Sequence, residues 1–390
     1  FLRFESWEPE YYIADFGGVK TYSGQVNSIQ QNISEYPDLK DKNFIDGLSG
    51  TNYKFKSQRG RLVRANTNNF SGHRFSRNRG RGSLKGVFIS QEAVRGIQTD
   101  DWKIPENLEP YGHPIALTTE RITDFLLITL KDWPIQYYFN FEDSSPELRY
   151  CISGAWRSLA EIIGRGIIRM EDIEPNEISV GIRSEILVNP DGVRDFQWAI
   201  YIADTLDNGA GYSSKYNNHE ELKRLFTYIQ NNVVTPLLDE THSKSCISSC
   251  YQCIRHYGNR LHHETLDWRL GIDLLNLLQD PDSQVTKMNA HWANLLEELL
   301  PARLEEFTKE EDGRFEISEI EGHITYCHNN LSYALFARHP LIDEKTCIDV
   351  IDAQNKIHSI TGKQAVSFSI YDFIRNPLRA WQKIQGSLPE

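Results

Sequence analysis

The sequence predicts an α+β protein in which mixed β-sheets carry packed helices, a cysteine-rich knuckle staples one of those helices, and a small α/β unit closes the chain. Three observations support this. Residues 114–204 read strand, helix, strand, strand, an order that builds a sheet with a helix laid on it. Leu266, Leu270, Leu274, Leu277 and Leu278 lie on one face of a helix directly after a cluster of cysteines. Past residue 313 the apolar positions fall in short, alternating runs that suit strands, with an amphipathic helix from Phe373 to Ile384 at the end. At 390 residues, 39% hydrophobic and 11% aromatic, the chain is long and apolar enough for several domains. The expected division is a β-rich region over 1–113, an α/β domain over 114–282, a helical linker over 283–312 and the small unit over 313–390.

Taken in order, the first 50 residues are aromatic-rich, and Trp7-Glu-Pro9 and Asp15-Phe16 punctuate an extended stretch that carries no chemistry of its own. The chain opens on Phe rather than Met and in mid-pattern, which suggests one stretch of a longer polypeptide. Residues 47–91 hold no Asp or Glu, yet contain Lys54, Lys56, Arg59, Arg61, Arg64, Arg74, Arg77, Arg79, Arg81 and Lys85. Tyr53, Phe55, Phe70 and Phe75 are interleaved with these cations, and Asn and Gly residues supply turns, so a twisted pair of hairpins is expected. Cations alternating with aromatics suit a phosphate backbone and stacked bases. In a chain of net charge −12 the same stripe equally suits pairing with acidic surface on this protein or a partner.

Pro114 to Leu130 is rich in β-branched residues and reads as buried strand; Ser153 to Met170 has helical spacing; Glu177 to Val188 and Phe196 to Asp204 read as two strands joined at Asn189-Pro-Asp-Gly192. The last of these strands runs into Asp204-Thr-Leu-Asp207-Asn-Gly209-Ala-Gly211-Tyr212 and then a helix from about Glu220 to Val233. Glycines between strand and helix can cradle phosphate. Here neither the dinucleotide spacing nor the Lys-Ser/Thr of a P-loop is present, and a tight turn with positive φ explains them as well. Glu185 and Asp204 are a conceivable Mg²⁺ pair, if the strands bring them together.

Cys246-Ile-Ser-Ser-Cys250-Tyr-Gln-Cys253 places three thiols within eight residues, and His262 and His263 follow. Thiolates two or three residues apart wrap one tetrahedral Zn²⁺ through a tight turn. The alternative, three small apolar residues on a buried helix face, is opposed by the polar neighbours Ser248, Ser249, Gln252 and Arg255. A structural zinc site with Cys246, Cys250, Cys253 and His263 as ligands is expected; His262, Cys151, Cys327 and Cys347 are the other sources of the fourth. Four protein ligands leave no position for a reacting water, so the metal is a staple. Absence of a secretory signal pattern and of any apolar run near membrane-spanning length points to a cytoplasmic protein that uses its cysteines for metal rather than disulfides.

Beyond the knuckle, Trp292, Leu295, Leu296 and Leu299 form a second helical stripe. Phe315 to Ile320, His323 to Cys327, Ser332 to Ala337 and Cys347 to Ile351 read as strands. Glu319, Asp349, Asp352 and Lys356 recur without the Pro-Asp then Asp/Glu-x-Lys spacing of a nuclease, and His242-Ser-Lys244 lacks the downstream Asp of a phosphodiesterase motif.

Together, Asp204-Thr-Leu-Asp-Asn-Gly-Ala-Gly-Tyr212, Cys250-Tyr-x-Cys253-Ile-Arg-x-Tyr-x-Asn259 and His263-x-x-Leu-Asp267-Trp-Arg resemble the MrfA-like zinc-binding domain. That domain lies at the C-terminal end of bacterial DEAD/DEAH-type helicases, including those of DISARM- and Druantia-type anti-phage defence. Looser similarity at Trp7 to Phe16, Arg61 to Asn66 and Thr123-Asp124 extends the resemblance over about residues 1–280. It implies structural zinc, DNA, a helicase motor and other defence-complex subunits as partners, although many relatives have four cysteines where this chain offers three. No Gly-x4-Gly-Lys-Ser/Thr and no Asp-Glu-x-His/Asp occurs, so any motor lies elsewhere in the polypeptide or in a partner subunit. A protein-interaction scaffold that never touches nucleic acid is the competing expectation.

Overall fold

The computed structural model describes residues 33–38, 43–66, 75–78, 81–84, 87–88, 117–132, 146–188, 194–283, 290–309, 313–344 and 347–387. The architecture is mixed α and β, with antiparallel pairing dominant. Residues of the chain divide by contact into one unit of Phe1–Asp41 with Arg59–Thr123, and a second of Lys42–Gln58 with Asp124–Glu390.

In the first unit, β1 (Ile33–Asp38) lies antiparallel to the second half of β3 (Tyr53–Asn66), so that Glu35 faces Arg64 and Asp38 faces Arg61. Three short strands, β4 (Phe75–Asn78), β5 (Arg81–Leu84) and β6 (Val87–Phe88), form an antiparallel meander, two successive hairpins within the basic stretch.

In the second unit, β2 (Ile45–Asp46) pairs with the first half of β3. Residues Phe125 to Thr129 of β7 (Leu117–Leu130) pair with β9 (Arg194–Asp204), which pairs along its length with β8 (Ile178–Val188). The register sets Asp204 opposite Ile178 and Glu185 opposite Gln197, far along the ladder from each other, so the two carboxylates do not form the Mg²⁺ pair considered from sequence. Helix α1 (Pro146–Glu171) starts at Pro146, whose fixed φ and missing N–H suit a first turn. Its apolar stripe Ala155, Trp156, Leu159, Ile162, Ile163 and Ile167 is fully buried against β8, β9 and helix α5 (Trp268–Gln279).

Between sheet and knuckle the chain makes a succession of short helical turns. Asn218 caps α2 (His219–Ile229) by accepting from the Glu221 amide at 3.0 Å, with Glu220 and Glu221 favourably placed in the first turn. A wide π-type turn over Gln230–Val234 leads to α3 (Thr235–Leu238), and Asp239 caps α4 (Glu240–Ser245), accepting from the Thr241 amide at 2.9 Å. After α5, the helical stripe expected at Trp292 to Leu299 is a wide π-type turn at Leu295–Leu299 that continues into α6 (Leu300–Phe307).

The C-terminal residues form a four-stranded sheet in the order β10 (Phe315–Ile320), β11 (His323–His328), β12 (Tyr333–Arg338), β13 (Gln364–Ser369). Strands β12 and β13 are parallel, joined through α7 (Ile348–Thr361). The strand expected at Cys347 to Ile351 is therefore the start of a helix. Its apolar residues were read at a period of two, whereas those that bury are Val350, Ala353 and Ile357, and Ile348 points outward. The expected closing helix is broken at Asn376-Pro377 into α8 (Ile370–Arg375) and α9 (Pro377–Gly386), because proline cannot continue the hydrogen-bond ladder.

Two features join these parts of the second unit. A Cβ added at Gly271 would stand 2.9 Å from the Ser158 carbonyl carbon, so only glycine permits the α1–α5 approach. Asp273, buried on α5, accepts from His291 Nε2 at 2.8 Å, Trp292 Nε1 at 2.9 Å and His339 Nε2 at 2.9 Å, linking three chain segments at one carboxylate. Burial opposes its charge, but His291 and His339 together hold the carboxyl well below the usual carboxylate range. We expect Gly271→Ala to lower unfolding free energy by about 1–3 kcal/mol through overpacking. Asp273→Ala should cost about 3–5 kcal/mol, since three buried donors lose their acceptor. Urea titration followed by tryptophan fluorescence measures both; a change under ~0.5 kcal/mol in either would contradict the packing described.

Candidate metal centre

His242, Cys246, Cys250 and Cys253 bring their ligand atoms within 4.8 Å of one another. Among the described residues this is the one group of three or more His, Cys, Asp or Glu side chains placed to hold a metal ion. The local structure explains the convergence. His242 is in α4 and Cys246 caps its C-terminus, so a four-residue step stacks imidazole and thiol on one helical face. Cys250 and Cys253 follow in a tight turn, where the Cys253 and Arg255 amides donate to the Cys250 carbonyl at 3.1 and 3.0 Å. That turn also aims the Cys250 amide at the Cys253 sulfur, 2.9 Å away.

The separations match a small tetrahedron. Cys246 Sγ is 3.9 Å from Cys253 Sγ, and Cys250 Sγ is 3.7 Å from His242 Nε2. With zinc–sulfur bonds of about 2.3 Å, tetrahedral edges come to about 3.8 Å. None of these cysteines is in a disulfide. His242 Nδ1–H donates to the Leu237 carbonyl at 2.9 Å, which fixes the tautomer and turns the Nε2 lone pair toward the sulfurs.

The donors share protons in the metal-free chain. A hydrogen bond from the Cys246 thiol, with further help from His242 and nearby amides, holds the Cys253 thiol down to about 4 against the effect of burial. Cys246 is pushed up correspondingly, chiefly by its hydrogen bond to Cys253. His242 is pushed up to about 9, first by its hydrogen bond to Cys253, against burial, with the Leu237 carbonyl assisting. A divalent cation would replace protons that the cluster already concentrates.

A shell of buried groups holds the knuckle. Arg269, fully buried, donates to the carbonyls of Ile247 at 2.8 Å, Ser243 at 3.3 Å, Cys246 at 3.3 Å and His291 at 2.9 Å. Its guanidinium lies 4.2 Å above the Trp268 ring, and Trp268 Nε1–H donates to the Cys246 carbonyl at 3.3 Å. Asp267 caps α5 by accepting from the Arg269 amide at 3.1 Å, and Arg375 of α8 approaches its other oxygen at 3.4 Å. Asn259 Nδ2 donates to the Ile254 carbonyl at 2.9 Å, and Asn259 Oδ1 accepts from the His256 amide at 2.9 Å.

Of the expected ligands, the structure brings together Cys246, Cys250 and Cys253 but not His263. The His263 Nε2 is 2.9 Å from Asn259 Oδ1 and 3.1 Å from the His256 carbonyl, which occupies its donor in the loop rather than at the sulfurs. His262, held down to about 3 first by burial and then by nearby Arg157, also stands outside the cluster, as do Cys151, Cys327 and Cys347. The imidazole of the site is His242, one helical turn before Cys246. Its four-residue spacing was visible in the sequence, where His242 was weighed only as part of a phosphodiesterase motif.

The basic stripe is distributed differently from the metal ligands. Arg61 is paired with Asp38 at 2.9 Å and Glu120 at 3.1 Å, and Arg64 with Glu35 at 2.8 Å. Lys56 is buried, and Lys54 Nζ lies 6.0 Å from the Phe44 ring centroid. Arg59 is exposed. Arg77 and Arg81 sit on facing strands of the meander, and Arg74, Arg79 and Lys85 lie outside the described residues. The Gly-Ala-Gly turn has positive φ at Gly209 and Gly211, and its amides are already occupied: Asp204 accepts from Ala210, Gly211, Tyr212 and Ser213 at 2.7–3.2 Å. An internal carboxylate thus fills the place a phosphate would take. Glu319, Asp349 and Asp352 do not converge with each other as a ligand group.

No family model and no curated protein matches the chain. Among solved structures, the crystal structure of the DUF1998 helicase MrfA bound to DNA aligns with 14% identity and a TM-score of 0.31, covering 63% of this chain and 25% of that one. The chain thus spans about a quarter of the length of that protein. Among the described residues, no helix is long and apolar enough to cross a membrane.

His242→Ala is expected to lower bound metal well below one equivalent, while His263→Ala leaves it at the wild-type level, both read by elemental analysis of purified protein. The reverse pattern would return the fourth ligand to His263. Because His242 carries a proton near neutral pH in the metal-free chain, metal must displace it; apparent affinity should therefore fall as pH drops from about 7.5 to 5.5. Competition with a chromophoric chelator checks the direction, and a flat profile would contradict it.

Proposed function

We propose that this chain is a zinc-stapled, non-catalytic accessory module of a bacterial ATP-dependent DNA translocase, which helps hold or guide DNA and docks the motor. The observation that carries the zinc assignment is the closed Cys3His donor set. Soft thiolates with one neutral imidazole at tetrahedral separations favour Zn²⁺ over harder cations, and four protein donors leave no coordination position for substrate. When bound, zinc would supply structural cross-linking; Cys246, Cys250, Cys253 and His242 would hold it.

The link to a DNA translocase is supported by the combined motif rather than by any single residue. Asp204 and Gly211 close the turn that follows β9, and the cysteines, Asn259, Asp267 and Arg269 each have a defined architectural task around the knuckle. This is the behaviour expected of a motif that describes a domain and not an active site. Association with anti-phage defence and with further subunits belongs to the same proposal. A second reading, a protein-interaction scaffold, is favoured by one observation: Arg61 and Arg64 of the basic stripe are neutralised by carboxylates of their own sheet.

Zinc binding is expected to contribute on the order of 10–16 kcal/mol of apparent free energy to the segment it closes. Chelation, or Cys250→Ser, should then raise protease sensitivity and amide exchange between Glu240 and Leu266 first, with one equivalent of zinc in the untreated protein. A knuckle that stays protected with no metal present would overturn the structural role.

A further inference from the structure

The outer surface of the knuckle differs from the stripe on β3: Lys244 pairs with Glu240 at 2.6 Å, but Arg255 and Arg260 meet hydroxyl, carbonyl and ring groups. No Asp or Glu occurs between Glu240 and Glu264, a stretch that contains Lys244, Arg255 and Arg260. Tyr257 and Tyr251 are 74% and 64% exposed there, which is unusual for large aromatic side chains in a folded loop. Arg260 lies 4.5 Å over the Tyr257 ring, so the cation and the ring face form one preassembled platform.

Helix α1 runs beside this loop and adds two more arginines. Arg165 and Arg169, one turn apart, line a cavity of about 200 Å³ together with His242, Leu237 and Gln252. Arg165 donates to the Gln252 carbonyl at 2.9 Å and Arg169 to the Asn232 carbonyl at 2.7 Å. Arg169 has no carboxylate ion pair among the described residues, whereas Arg165 lies in the field of Glu161 and of the Cys250 and Cys253 sulfurs. Each guanidinium has five N–H donors, so most remain available to an incoming anion. The acidic residue on the same face, Glu161, is engaged by His256 at 3.0 Å.

We propose that this face of the knuckle binds single-stranded DNA, with Arg165 and Arg169 taking backbone phosphates and Tyr251 and Tyr257 stacking on bases. The chemistry selects the ligand: guanidiniums with spare donors recognise phosphate, and exposed tyrosine faces offer stacking that requires unpaired bases, which a duplex keeps inside its stack. The inference rests on the DNA-associated reading above and moves the contact from the β3 stripe, where Arg61 and Arg64 are already spent on carboxylates, to the metal knuckle. It gives the staple a direct purpose, since the metal holds the loop that presents both tyrosines.

Fluorescence anisotropy with a labelled oligo-dT strand and a matched duplex tests this on the intact, zinc-loaded chain. The expected result is tighter binding to the single strand, with affinity falling steeply between about 50 and 200 mM salt. Tyr251→Ala with Tyr257→Ala should weaken single-strand binding about tenfold or more at unchanged zinc content. Arg169→Ala should reduce the salt slope by roughly one, whereas Arg61→Ala with Arg64→Ala should leave affinity unchanged. Wild-type affinity in the tyrosine variant, or loss confined to the Arg61 and Arg64 variant, would overturn the placement while leaving a DNA role intact. No binding of either probe at low salt, with zinc in place, would overturn both.

Discussion

The buried guanidinium of Arg269 is the interaction on which the second unit depends. It sits against Trp268 and approaches Trp292, has no exposed surface, and gives its donors to four backbone carbonyls. Two of those carbonyls, Ser243 and Cys246, belong to the end of α4, where a cation offsets the negative pole of the helix. A buried charge of this kind is tolerable only if it is hydrogen-bonded and balanced. Burial lowers the pKa of Arg269, while Asp267 and the Cys246 and Cys253 sulfurs act to retain its charge. A divalent cation held by three thiolates would have a formal charge of −1 and would balance Arg269 across the knuckle.

The same arrangement connects the knuckle to everything around it. Asp267 starts α5, receives Arg375 from α8, and takes its own amide's partner from Ser158 Oγ of α1 at 2.8 Å. Tyr371 of α8 donates to the Thr265 carbonyl at 2.9 Å, and its ring lies 3.6 Å beneath the Arg375 guanidinium. Nearly two turns along α5, Asp273 gathers His291, Trp292 and His339. The metal loop, α1, α5 and the C-terminal sheet are therefore held by two buried carboxylates and one buried guanidinium, and a change at the knuckle is transmitted through groups that cannot be solvated in place.

Electrostatics divide the basic residues into two populations. On β3 the cations face acids across the ladder, which is a way for a sheet to fix its register and satisfy its surface. On the knuckle and α1 the arginines donate to carbonyls and keep spare donors. An acidic protein of net charge −12 can still approach a polyanion where charge of one sign is concentrated locally. Density of Lys and Arg along the sequence did not distinguish the populations; the identity of the residues across the ladder did.

Much of the fold was legible because it follows from local spacing. The stripe of α1, the two long strands before Asp204, the positive-φ turn at Gly209 and Gly211, and the three thiols of the knuckle are all dictated by residues within a few positions of one another. What spacing cannot convey is which partner a side chain meets when several are within reach. His242 and His263 flank the cysteines on either side in sequence; α4 turned His242 inward and the Leu237 carbonyl set its tautomer, while Asn259 claimed His263. Asp204 likewise went to four amides of its own turn instead of to Glu185, and the Ile348 to Ile351 run became helix because burial selected Val350 and Ile357. The sequence by itself determined that a thiol-rich knuckle would precede a leucine-striped helix, since both depend on near-neighbour geometry. Only the tertiary structure decided which imidazole joins the thiols and which arginines keep spare donors, because those depend on which side chains and backbone groups compete for the same hydrogen-bonding partners.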